Sequence, residues 1–151
     1  MARASPPCGS LALDRPKAGH DAHLPLPSVA RTRIGRVGML LCREVFCAPA
    51  ALRGANVVVN PIGVGMFSED QFTTWTERAH AVALSCAAPV VGTSHADGRY
   101  KDAAVSLPLA FAFAGDGRTL ALRRCDPRPV VVDTPSEGGD GLKVNPTAWR
   151  P

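Results

Sequence analysis

The chain has 151 residues, 46% apolar and 20% charged, a length and composition that fit one globular domain with a real core. No apolar run reaches the roughly 18 residues of a membrane span. The net charge of +4 sits mostly in the first 33 residues, which carry five Arg or Lys against two Asp.

The rest of the chain is nearly charge-balanced and has no basic block interleaved with aromatics. Neither nucleic acid nor a membrane is therefore an expected partner. The start, MARASPPCGS, lacks a signal-peptide apolar stretch. Five cysteines at 8, 42, 47, 86 and 125 are an odd number at irregular spacing, which fits a reducing compartment and a cytoplasmic location. No Cys-x-x-Cys occurs, and the His and Cys positions do not cluster, so no metal site is expected.

Residues 1–32 hold five of the 14 prolines, at 6, 7, 16, 25 and 27, and show no helical or strand periodicity. They are expected to be extended or disordered. Residues 33–133 carry an α/β pattern. The Pro- and Gly-containing tail, 134–151, is expected to be loose.

The informative stretch lies at residues 33–61. An apolar run at 37–41 ends on Cys42, and Arg43 and Glu44 follow. An Ala-rich segment leads to Arg53-Gly54-Ala55, and a second apolar run at 57–59 closes on Asn60-Pro61. The order reads as strand, sharp turn, short helix, stop, strand. Two apolar runs joined through a helix are expected to be neighbouring parallel strands, buried on both faces. Cys42 then ends the first strand just ahead of a helix, on the sheet edge where open α/β folds keep their sites. Helix-start amides there favour the thiolate, the reactive form. Packing is the competing explanation, since free Cys is among the most buried residue types. Glu44 can pair with Arg43 or Arg53, or cap the helix, and a structural role fits it better than proton transfer.

Gly63, Val64, Gly65 and Met66 follow the second strand, either lining a site at its carboxyl end or simply connecting to the next helix. That helix opens at Ser68 with a capping-box pattern to Gln71, and Glu69 and Asp70 suit its positive end. Phe72, Trp75, Ala79, Val82 and Ala83 mark the core-facing stripe, and Pro89 requires the helix to end near Ser85. Trp75 either reaches a pocket or packs in the core. His80 lies one position off the stripe.

Residues 90–93 read as the next strand. Gly92-Thr93-Ser94-His95-Ala96 approaches Gly-x-Ser-x-Gly but ends in Ala, and adjacent residues on an extended chain point apart, so Ser94 is a poor nucleophile. His95 at a strand end is a candidate for lining a site. Residues 109–114 and 118–123, separated by Gly115-Asp116-Gly117, form a strong hairpin signal. Residues 130–132 read as a last short strand.

Strand-Cys-x-Glu, a short helix, Arg-Gly-Ala and a strand ending in Pro together resemble the nucleophile region of the carbon–nitrogen hydrolases (nitrilase superfamily). The resemblance runs from residue 32 to about 133, through Trp75…Glu77-Arg78-Ala79, the Val-Val-Gly strand and the Gly-Asp-Gly hairpin. It implies the second half of an αββα sandwich, a mixed sheet with flanking helices. It implies hydrolysis of carbon–nitrogen bonds other than peptide bonds in a small-molecule amide, nitrile or N-carbamoyl substrate. No cofactor is implied, and a homo-oligomer is. Cys42 would be the nucleophile that forms a thioacyl intermediate, and the Arg43 backbone amide would help hold the oxyanion. Gly63, Val64, Gly65, Met66, Trp75 and His95 are the candidate pocket positions.

Departures accompany the match. Ser85-Cys86 stand where the family carries Glu-Asn, and the segment between Cys42 and Gly54 is about one helical turn short. No Glu precedes Glu44, and Lys17 is the only upstream Lys, although the family's general base and Lys both precede the Cys. A chain so equipped is expected to be inactive or nearly so on its own. The alternative is a non-catalytic remnant or interaction domain of the same fold.

Overall fold

The computed structural model describes residues 29–33, 35–46, 49–96, 105–133 and 143–144. Six strands form one mixed sheet: β1 (Val29–Thr32), β2 (Gly35–Met39), β3 (Val57–Ile62), β4 (Val90–Ser94), β5 (Leu109–Phe113) and β6 (Thr119–Arg124), in that spatial order. β2, β3 and β4 are parallel, and the remaining pairings are antiparallel. A separate two-stranded ladder joins β7 (Val132–Asp133) to β8 (Lys143–Val144).

β1 lies within the amino-terminal segment expected to be extended or disordered. No proline falls between residues 28 and 48, so nothing there prevents pairing, and four residues are too few to show a period. The hairpin to β2 closes with the Thr32 hydroxyl donating to the Gly35 carbonyl at 2.7 Å. Residues 1–28 lie outside the described residues. So does most of the tail expected to be loose, but its Lys143–Val144 form a strand. The first strand of the nucleophile region is Gly35–Met39 rather than 37–41. The short helix expected after Cys42 is two 3-10 turns, Cys42–Phe46 and Pro49–Leu52. Pro49 opens the second turn, where its missing N–H costs no helix bond.

β3 and β4 are connected by α1 (Glu69–Cys86). Ser68 caps it in extended geometry, its hydroxyl accepting from Gln71 N at 3.2 Å. The Gln71 side chain accepts from Phe67 N rather than from Ser68 N, so the capping box closes one residue early. The expected stripe is buried, joined by Thr76 and Cys86. It packs on the sheet face carrying Val58, Ile62, Val90, Leu109, Phe111 and Phe113. Each large apolar side chain buried there contributes about 1.5–3 kcal/mol. Gly92 allows this packing: a Cβ there would lie 2.2 Å from the Phe111 ring. The hairpin β5–β6 turns at Gly117 (φ +89°), as its sequence predicts.

Among the described residues, no helix lies over the opposite sheet face. Val57, Val59, Val91 and Ala110 are only half-buried, and with the segment at 126–132 they line an open groove of about 660 Å³.

Candidate active site

Backbone register in β3 sets the site. Val59 O accepts from Leu40 N at 2.9 Å, whereas Val58 N donates to Pro89 O at 2.8 Å. Odd-numbered positions of β3 therefore turn their backbone toward β2, and even-numbered positions turn theirs toward β4. Pro61 has its missing N–H on the β2 side, beyond Met39 where that ladder ends, so no sheet bond is lost. Asn60 has its side chain on the buried face, between Val58 and Ile62.

Past Met39 the chain breaks away into the first 3-10 turn. Leu40 is buried, and Cys42 takes a left-handed backbone (φ +53°). That geometry costs a residue with a Cβ roughly 1–2 kcal/mol and persists only where surrounding contacts enforce it.

Three sets of contacts do so. First, the buried Glu44 turns its carboxyl back to accept from Leu41 N at 2.7 Å, while Glu44 N donates to Leu41 O at 3.1 Å. Second, Asn60 Nδ2 donates to Leu40 O at 2.7 Å and to Cys42 O at 3.1 Å. Both partners are acceptors, so the amide orientation is fixed, and Asn60 Oδ1 is buried without a hydrogen-bond partner among the described residues. Third, Arg78 on α1 donates from Nε to Val45 O at 3.1 Å and from a terminal nitrogen to Phe46 O at 3.4 Å. Phe46 also meets Trp75 edge-on, with ring centroids 5.2 Å apart.

Cys42 is half-buried against the core, and the Arg43 side chain is exposed. Because β2, β3 and β4 are parallel, Cys42, the Gly63–Met66 segment (residues 63–66) and His95 all follow the carboxyl ends of adjacent strands. Gly63 and His95 are exposed and Val64 is half-buried. His95 N donates to Ile62 O at 3.1 Å. Gly65 and Met66 turn inward, and Met66 makes a two-bond bridge with Leu107 and is fully buried. Trp75 belongs to the core under the 3-10 turn. None of these six positions, nor Cys42, lines the open groove, which lies on the other face of the sheet and reaches this edge only at positions such as Pro61 and Ala96. Ser94 Oγ accepts from Leu109 N at 2.9 Å and so serves the β4–β5 connection. Burial raises the pKa of the Cys86 thiol, and the Arg53 charge opposes that in part. Among the described residues, no group of three or more His, Cys, Asp or Glu is placed to hold a metal ion.

Asn60 and Arg78 are the residues whose part in the site the sequence did not disclose. Asn60 was available as a signal: a polar side chain at an inward position of Val-Val-Val-Asn-Pro-Ile has to find partners.

No family model matches the sequence, and no curated protein matches it. Solved structures do. A carbon–nitrogen hydrolase from Helicobacter pylori G27 superposes with TM-score 0.52 at 20% identity, covering 64% of this chain and 39% of that one. A carbon–nitrogen hydrolase superfamily protein of Xanthomonas campestris, with an arsenic adduct in its active site, superposes with TM-score 0.57 at 9% identity, covering 70% of this chain and 42% of that one. The fold is that of part of a carbon–nitrogen hydrolase. The chain spans about two fifths of the length of these structures.

Proposed function

We propose that this chain carries the nucleophile part of a carbon–nitrogen hydrolase centre, with Cys42 as the nucleophile and small amides, nitriles or N-carbamoyl compounds as substrates. The observation that carries the reading is the enforced left-handed Cys42 at the carboxyl edge of parallel strands. On an amide, the thiolate bonds to the carbonyl carbon and the electron pair moves to oxygen. As the carbonyl re-forms, the C–N bond breaks and the amine leaves with a proton. Water then hydrolyses the thioester. The Arg43 amide supports the oxyanion.

Proton transfer is the weak part of this centre. Glu44, the carboxyl next to Cys42 in sequence, is committed to Leu41 N. Asp14, Lys17 and Asp21, the upstream alternatives, lie outside the described residues. The reading expects slow turnover by the chain alone, with acylation as the step to look for. Incubation with a p-nitrophenyl ester, followed by peptide mass mapping, should place one acyl group on Cys42 ahead of exposed Cys125, with little ammonia released from amides. Equal acylation of the two thiols refutes the reading. A second reading, a non-catalytic domain of the same fold, draws on the half-buried valine face and predicts that equality.

A further inference from the structure

Resting on that reading of Cys42, we propose that Asn60 is a positioning residue that aims the Arg43 amide. The peptide unit between Cys42 and Arg43 is planar and trans, so its carbonyl and its N–H point in opposite directions. Asn60 Nδ2 holds the carbonyl end of that unit from the buried side at 3.1 Å, and holds the Leu40 carbonyl at 2.7 Å. One amide thus grips the backbone on both sides of Leu41 and fixes the plane that follows Cys42. The Arg43 N–H is forced to point away from Asn60.

The arrangement is costly as packing. Asn60 is 1% exposed, and its Oδ1 has no partner among the described residues. A leucine of similar shape would avoid that orphan acceptor, and buried polar groups left unpaired are destabilising. What leucine cannot do is donate to two carbonyls at once. Asn60 acts through the backbone and touches no reacting atom.

The test separates attack at a carbonyl, which needs the Arg43 amide, from simple alkylation, which does not. In Asn60→Leu, acylation of Cys42 by the p-nitrophenyl ester should fall about tenfold, the worth of one well-placed hydrogen bond. Alkylation of the same thiol by iodoacetamide should change less than about twofold, with Cys125 as the internal reference. A parallel fall in both reactions, or no fall in either, overturns the proposal.

A stability cycle tests the grip without reference to catalysis. Glycine accepts the left-handed backbone at position 42, so removing Asn60 should shift the urea midpoint less in Cys42→Gly than in the parent chain. Equal shifts overturn the proposal. If Asn60→Leu does not fold, Asn60→Ser, smaller and with one donor, takes its place in both experiments. If wild-type Cys42 is acylated no faster than Cys125, the functional reading fails, and the cycle still decides whether Asn60 holds the turn.

Discussion

Truncating Glu44 should cost more stability than any surface change in this chain. The side chain is 0% exposed, and its carboxyl accepts from Leu41 N at 2.7 Å. Glu44→Ala strands that N–H, and leaving a buried donor unsatisfied costs about 1–3 kcal/mol. It also removes one buried methylene, at about 0.8 kcal/mol, before any cavity penalty. The sum is about 2–4 kcal/mol, against a total stability of about 5–15 kcal/mol for a typical domain. Glu44→Gln keeps the volume and one acceptor oxygen, so it should cost only about 1 kcal/mol. Urea unfolding followed by tryptophan fluorescence measures the difference. With a slope near 1–2 kcal/mol/M, the Ala variant should unfold about 1–4 M before wild type, and the Gln variant closer to wild type, within about 1 M of it. Midpoints that coincide for Ala and Gln would mean that the carboxyl does not hold the turn.

Two further outcomes follow from named contacts. Ala87 ends α1 in left-handed geometry (φ 48°, ψ 38°), exposed, with its N–H bonded to Ala83 O and Leu84 O. Ala87→Gly should therefore raise the urea midpoint, by about 0.5–1 kcal/mol of stability, because no side-chain contact is lost. Hydrogen bonds from the Arg128 side chain and then its backbone N–H hold the Asp126 carboxyl well below its usual pKa. A depressed carboxyl contributes stability above its unfolded value, near 3.9, and loses it as pH falls through the folded value. Asp126→Asn should therefore be less stable than wild type at pH 7, with the gap closing below about pH 4 and shrinking in salt. A gap that widens in acid would contradict the pairing.

What the sequence disclosed and what it withheld divide along physical lines. Ser68, Pro89 and the 3.6-residue stripe located α1 because caps, breakers and periodicity are local signals. Gly115-Asp116-Gly117 located the β5–β6 hairpin for the same reason. β1 was missed because four residues carry no period, and its partner is chosen by the Thr32–Gly35 turn. The expected short helix after Cys42 is present as 3-10 turns at Cys42–Phe46 and Pro49–Leu52, a choice of helix type that residue spacing does not encode. Within the site, Cys42 was legible from its place at the end of an apolar run. Asn60, 18 residues away, was not, because its role depends on the register between β2 and β3. Trp75 remained ambiguous in sequence since a stripe aromatic serves core and pocket alike. Its edge contact with Phe46 puts it under the turn.

The backbone at Cys42 is held by three kinds of contact with different ranges. Glu44 acts within the turn, Asn60 acts from the neighbouring strand, and Arg78 acts from the helix, 33 residues from its acceptor Val45. All three lie within this chain, although it spans only about two fifths of the length of the structures it matches. The contacts that hold the left-handed backbone at Cys42 are thus supplied by the described residues themselves. On the proposed reading, Cys42 should be acylated without turnover, the behaviour that separates backbone geometry from proton transfer.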